Sequence, residues 1–185
     1  VLVSNACCDR WLALAGEGDS KGRSLFTYVG PPTADYASDG VAEAAPFRRG
    51  TIVAEVATGT ARVVSGAIHL LYAQVAPVLG SPTSEEAGAA GGGRVQTFQN
   101  GDIYWKWNTG AHALTGPIRE RWLALGGPAG ALGYPTGEEK SMVGLLGEAG
   151  RSQPFEAGAV VGSGAGSFAL GSALAPAVDH QGPER

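Results

Sequence analysis

The chain has 185 residues, 44% of them apolar and 16% charged, a balance that suits a folded globular chain and argues against wholesale disorder. A net charge of −4 and a pI near 5.3, with 13 Lys and Arg scattered along the chain, provide no basic patch for nucleic acid or an anionic membrane surface. No apolar run approaches the roughly 20 residues of a membrane-spanning helix, and the 30 glycines lack the Gly-X-Y period of collagen and imply many tight turns.

The first residue is Val1, not Met, so a fragment or a processed product is expected, with any signal peptide already missing. A helical segment around Cys7, Cys8 and Trp11 opens the chain. Adjacent cysteines rarely pair, and no second pair suggests zinc. The stretch "RWLAL" at Arg10–Leu14 returns at Arg121–Leu125. After it comes "GEGDSKGRS", read as an extra loop, because Trp11 to Gly30 is 19 residues and Trp122 to Gly133 only 11. Gly18-Asp19-Ser20-Lys21-Gly22 within it matches Gly-x-Ser-x-Gly. A nucleophile elbow needs a buried strand before the serine and a helix after it. This match follows a helix in a glycine-rich loop, so catalysis by Ser20 is not expected.

Three series of anchors then interleave in constant order. One is Gly-x-Pro-Thr, at Gly30–Thr33, Gly80–Thr83 and Gly133–Thr136. The next is Phe-x-x-Gly, at Phe47–Gly50, Phe98–Gly101 and Phe155–Gly158. The last is a glycine opening a helical pattern, at Gly66, Gly116 and Gly171. Each recurs at a period of about 50 to 57 residues, as in a repeat array. Each unit reads as a short helix, a glycine-rich turn, Gly-x-Pro-Thr, a polar loop and a β-hairpin. The polar loops are "SEEAGAAGGGR" and "GEEKSMVGLLGEAGRS"; "GAAGGGR" lacks the Lys-Ser/Thr of a phosphate loop and reads as a flexible linker. In the third helix Pro117 occupies the first turn, where its missing N–H costs nothing. Ile118, Trp122 and Leu125 form its apolar stripe.

The expected fold is therefore α+β: one repeat domain over 1–185, each unit a β-hairpin plus a short helix, about three and a half units packed into a compact array. The units span 1–46 (partial, with the insertion), 47–97, 98–154 and 155–185 (partial). The half units suggest closure of one terminus on the other. The polar tail "DHQGPER" is expected to fray.

Residues 98–139 resemble an LGFP repeat, and the resemblance extends with declining strength over nearly the whole chain. The signature appears as Leu132-Gly-Tyr-Pro135, Leu79-Gly-Ser-Pro82 and Val29-Gly-Pro-Pro32, with Phe in none of the third positions. The resemblance implies a secreted actinobacterial envelope protein, in which such repeats are often appended to a catalytic domain and are thought to hold it on cell-wall polysaccharide or peptidoglycan.

Residues that differ between units are where ligand contacts are sought. Trp11, Tyr72 and Trp122 are equivalent and read as core, and Cys7 aligns with Ile68 and Ile118 as a buried small apolar residue. Strand 102–107 differs from its relatives. Period 2 places Ile103, Trp105 and Trp107 on one face and Asp102, Tyr104 and Lys106 on the other. Trp105 and Trp107 read either as core or as an aromatic platform for the C–H faces of sugars. The acids after Pro-Thr, Glu85, Glu86, Glu138 and Glu139, suit sugar hydroxyls or are solvated turn acids. Asp102, Tyr104, Tyr134, Thr136 and His112 complete the candidate ligand-binding set; His112 reads first as a hairpin hydrogen-bonding residue and not as a catalyst. His69, His112 and His180 have no metal-ligand spacing. No cofactor, metal, catalytic residue or nucleic-acid partner is expected. The leading expectation is a non-catalytic envelope glycan-binding module. A protein–protein assembly module is the alternative, and a hydrolase using Ser20 a distant third.

Overall fold

A computed structural model describes residues 1–18, 24–143, 149–163 and 166–171. Ser20, His180 and the expected terminal helix and tail lie outside these residues, and with them the expectation of closure. The chain divides into two compact units, Val1–Gly116 and Pro117–Arg185.

The first unit begins with helix α1 (Asn5–Ala13), where Ser4 Oγ accepts a hydrogen bond from the Cys7 N–H at 3.4 Å. This N-cap satisfies one of the donors that a helix start leaves open. A 3₁₀ turn (Leu14–Gly16) and helix α2 (Leu25–Val29) follow. The chain then forms an antiparallel meander: β1 (Ala37–Ser38), β2 (Ala42–Phe47), β3 (Gly50–Glu55) and β4 (Ala61–Ser65). Helix α3 (Gly66–Leu79) leads into a second meander of β5 (Ala87–Ala89), β6 (Gly93–Phe98), β7 (Gly101–Lys106) and β8 (Gly110–Thr115). The second unit repeats the order. It has α4 (Gly116–Ala124), a 3₁₀ turn (Gly127–Ala129), then β9 (Lys140–Val143), β10 (Ala149–Phe155), β11 (Gly158–Ser163) and β12 (Gly166–Leu170), again antiparallel and sequential. Mixed helix and strand with small antiparallel sheets is what the sequence pattern implied.

The expected hairpin is enlarged to four strands. The segment read as a polar loop and linker forms β5, a 3₁₀ turn (Ala90–Gly92) and the start of β6. Backbone pairing explains this. Strand β7 exposes a free hydrogen-bonding edge, and β6 fills it from Arg94↔Trp105 to Phe98↔Gly101. Side-chain propensity contributes little, so the sequence signal is weak.

The first sheet is buried on both faces. Ile52, Ala54, Ala45, Phe47 and Val63 join Cys7 and Leu14 in one apolar cluster. Val53 and Val64 join Ile68, Tyr72, Leu79, Phe98 and Ile103 in another, between this sheet, α3 and the second sheet. Double burial explains why "TIVAEV" lacks clean alternation. Cys7 is fully buried, as its alignment with Ile68 and Ile118 implied. Its Sγ lies 3.6 Å from the Ile52 carbonyl, and burial raises the thiol pKa above its ordinary value. Helix α2 follows the extra loop, and its Phe26 stacks on Trp11 with centroids 4.8 Å apart.

One clasp recurs three times and explains the Leu-Gly-x-Pro-Thr signature. The helix aromatic donates to the carbonyl of the signature glycine: Trp11 Nε1 to Gly30 at 3.1 Å, Tyr72 Oη to Gly80 at 3.2 Å and Trp122 Nε1 to Gly133 at 2.8 Å. The same rings pack on the hairpin phenylalanines Phe47, Phe98 and Phe155, with centroids 4.9 to 5.8 Å apart. Pro32, Pro82 and Pro135 bridge to those phenylalanines. The N–H groups of Thr33, Thr83 and Thr136 donate to the carbonyls of Pro46, Thr97 and Pro154. The glycines hold φ of 78°, 73° and 68°, a left-handed conformation that disfavours other residues.

Candidate functional site

The first unit holds a cleft of about 450 Å³. It lies within the range of about 300–1,000 Å³ typical of small-ligand sites. Glu17, Tyr28, Glu85, Glu86, Arg94 and Trp105 supply its chemistry, and Leu25, Val63 and Ile68 its apolar floor. Local structure places each group. Glu17 follows the 3₁₀ turn after α1, and Tyr28 lies on α2, so residues in and just after the first-repeat insertion build one wall. Glu85 and Glu86 follow Pro82-Thr83 and lead into β5. Arg94 and Trp105 sit directly opposite each other on β6 and β7. The inner part of Trp105 packs against the α3 cluster.

Two ion-pair systems organise the polar side. The Arg10 guanidinium joins Glu17 and Glu85. Its Nη1 donates to Glu17 Oε1, its Nη2 to Glu17 Oε2 at 3.1 Å and Glu85 Oε1 at 2.9 Å, and its Nε to Glu85 Oε1 at 3.2 Å. The Glu17 hydrogen bond raises the Arg10 pKa, and the same bond lowers that of Glu17. Glu85 Oε2 accepts from the Val63 N–H at 3.3 Å, tying the acid loop to β4. Separately, Arg94 Nε donates to Glu86 Oε1 at 2.6 Å. Beneath them, buried Gln96 donates through Nε2 to the carbonyls of Val63 and Ser84, at 2.9 and 3.0 Å.

Of the sequence candidates, the cleft gathers Glu85, Glu86 and Trp105. The others lie elsewhere. Trp107 follows the end of β7 and is 81% exposed, outside the cleft and outside the core. Asp102 and Tyr104 are buried, at 1% and 7% exposure, because the second face of this strand is also covered. Ile103 is buried on the other face, so both faces of the strand are covered at these positions. His112 Nε2 bonds the Thr109 carbonyl at 2.8 Å within its hairpin. Tyr134, Thr136, Glu138 and Glu139 belong to the second unit. There Tyr134 is buried and its N–H donates to Glu156 Oε2 at 2.9 Å, while Thr136 and Glu138 are exposed. Glu139 pairs with Arg151.

Sequence reasoning passed over Arg10, Glu17, Tyr28 and Arg94. For Arg94 a signal existed. It stands four residues before Phe98, as Arg151 does before Phe155, and Glu86 and Glu139 each stand four after the signature proline. The Arg94–Glu86 pair recurs as Arg151–Glu139. Glu17 and Tyr28 lie in and beyond the insertion, where no second copy exists for comparison. Among the described residues, no group of three His, Cys, Asp or Glu side chains is placed to hold a metal ion, and no helix is long and apolar enough to cross a membrane.

No curated protein matches the chain. A family model described as LGFP repeat matches residues 79–130, from the Leu79-Gly80 signature through β5–β8 and α4 to the 3₁₀ turn that follows. That segment is where the chain is similar to the LGFP repeat family.

Proposed function

We propose that this chain is a non-catalytic binding module of the cell envelope, built as a tandem array of LGFP-type units, and that it holds a secreted protein on wall glycan. The observation that carries the reading is the cleft, which sets the indole of Trp105 beside ion-paired carboxylates. An aromatic wall offers the C–H faces of a sugar a dispersion surface, and the paired charges supply donors and acceptors for its hydroxyls. A site of this kind binds weakly alone, and repeated units gain through avidity. The similarity of residues 79–130 to LGFP repeats supports anchorage of a secreted partner as the role.

The test is co-sedimentation of the chain with purified actinobacterial cell wall, comparing wild type with Trp105→Ala and with Trp107→Ala. The cleft reading expects loss with the first variant and retention with the second. Equal binding by both variants would move the site away from the cleft. Absence of sedimentation by the wild type would favour the protein-partner reading.

A further inference from the structure

We infer that the cleft takes a neutral sugar by two adjacent hydroxyls, one held by Arg94 and the other by Glu86, with the sugar's C–H face against Trp105. This rests on the glycan reading above and narrows it to one chemical class.

Arg10 is largely committed, because Nε, both N–H groups of Nη2 and one of Nη1 bond to Glu17 and Glu85. Glu85 spends its second oxygen on the Val63 N–H. These three side chains form a closed set that braces the cleft. Arg94 differs. It uses only Nε, on Glu86 Oε1, and its two Nη groups bond no described residue. Glu86 Oε2 likewise bonds none. Both side chains stay partly open to solvent, at 34% and 27%. The pair thus presents donors and an acceptor side by side, already oriented by the bond between them. Two neighbouring hydroxyls of a sugar ring require that combination, since one oxygen accepts from the guanidinium while the next donates to the carboxylate.

Charge restricts the class further. Among the described residues, Glu17, Glu85 and Glu86 set three carboxylates against the two guanidinium groups of Arg10 and Arg94, a net negative balance. A uronate or a phosphorylated sugar meets repulsion there. Trp105, opposite Arg94 in the β6–β7 register, supplies the apolar wall at the correct side of the pair.

Periodate cleaves adjacent diols, and carboxyl reduction removes anionic groups without touching them. The experiment therefore measures binding of the whole chain to purified actinobacterial wall polysaccharide in three forms: untreated, periodate-oxidised and carboxyl-reduced. Oxidation is expected to weaken binding at least tenfold, and carboxyl reduction to leave it unchanged. Arg94→Gln and Glu86→Gln, checked for folding by near-ultraviolet circular dichroism, are expected to lose tenfold or more on the untreated form. The exchanged pair Arg94→Glu with Glu86→Arg, which keeps the ion pair, recovers part of that loss. Binding that survives oxidation, or that carboxyl reduction abolishes, overturns the diol assignment while leaving glycan binding standing. No binding of any form by the wild type removes the glycan reading and this inference together.

Discussion

The clasp between helix and signature glycine can be dissected at Tyr72. Tyr72→Phe deletes one atom group, the hydroxyl that donates to the Gly80 carbonyl at 3.2 Å, and keeps the ring stacked on Phe98 with centroids 4.9 Å apart. A net hydrogen bond contributes about 0.5–1.5 kcal/mol. Gly80 is partly open to water, which takes over as donor, so the cost belongs at the lower end, about 0.5–1 kcal/mol. Tyr72→Ala removes the ring as well, from a site only 7% exposed, and leaves a cavity between α3 and Phe98. Losses of that kind run to about 3–5 kcal/mol. In urea, with a slope of about 1–3 kcal/mol per molar, Phe moves the midpoint by roughly half a molar or less, and Ala by a molar or more. Burial also raises the Tyr72 pKa above its ordinary 10.0. The folded state therefore holds this proton more tightly, and stability falls as pH rises past about 10, a dependence that Tyr72→Phe removes. If Phe proved as costly as Ala, the hydroxyl and not the stack would carry the clasp, and the argument from ring packing would be refuted.

Gly133→Ala puts a Cβ 3.1 Å from Glu156 Cβ at a residue with φ of 68°. It is expected to cost about 1–2 kcal/mol or more, read as a fall in Tm. His69 bonds Thr51 Oγ1 at 3.0 Å, and burial lowers its pKa below 6.5. The unfolded chain binds that proton first, so stability drops as pH falls below about 6.5, and urea midpoints against pH should show a shallower slope for His69→Gln. Glu17, held down by Arg10, contributes stability that is lost as pH falls below its ordinary 4.5; Arg10→Gln should flatten that acid limb while changing neutral-pH stability by no more than about 1 kcal/mol. Trp107→Ala should change stability by about 0.5 kcal/mol or less, because its ring is exposed. Trp105→Ala, partly packed on α3, should cost about 2 kcal/mol in urea titrations.

What the sequence made legible was what recurs. The signature glycines, the hairpin phenylalanines and the helix aromatics stand at matched offsets because one clasp demands all of them, and their burial follows from their spacing. Cys7 was readable as core by the same comparison. Less legible were features set by tertiary context. Helix α2 is spelled "LFTYV", rich in β-branched and aromatic residues with weak helix preference, and it is helical through packing on Trp11. Strand β6, "GRVQTF", gains its structure from the open edge of β7. The burial of Asp102 and Tyr104 was not legible, because alternation assigns a solvent face only when one face of a sheet is covered. The cleft was half visible. Glu85, Glu86 and Trp105 could be named one by one, but their convergence depends on a wall built in and just after the insertion, which no periodicity describes.

The clasp also separates two kinds of information. The third residue of the signature is Pro31, Ser81 or Tyr134, and in each case the clasp engages its main-chain carbonyl, which accepts from the N–H of Arg48, Gln99 or Glu156. Where that residue has an N–H, the neighbour on the hairpin turn receives it. Gln99 Oε1 accepts from Ser81, Glu156 Oε2 accepts from Tyr134, and proline faces an arginine. The fold thus reads this position as main chain and leaves its side chain open to choice, from an exposed proline to a buried tyrosine. Each unit carries one such address, fixed in space by its neighbours and indifferent to what is written there. A reporter group or a new ligand contact installed at Ser81 would inherit a defined position without renegotiating the fold.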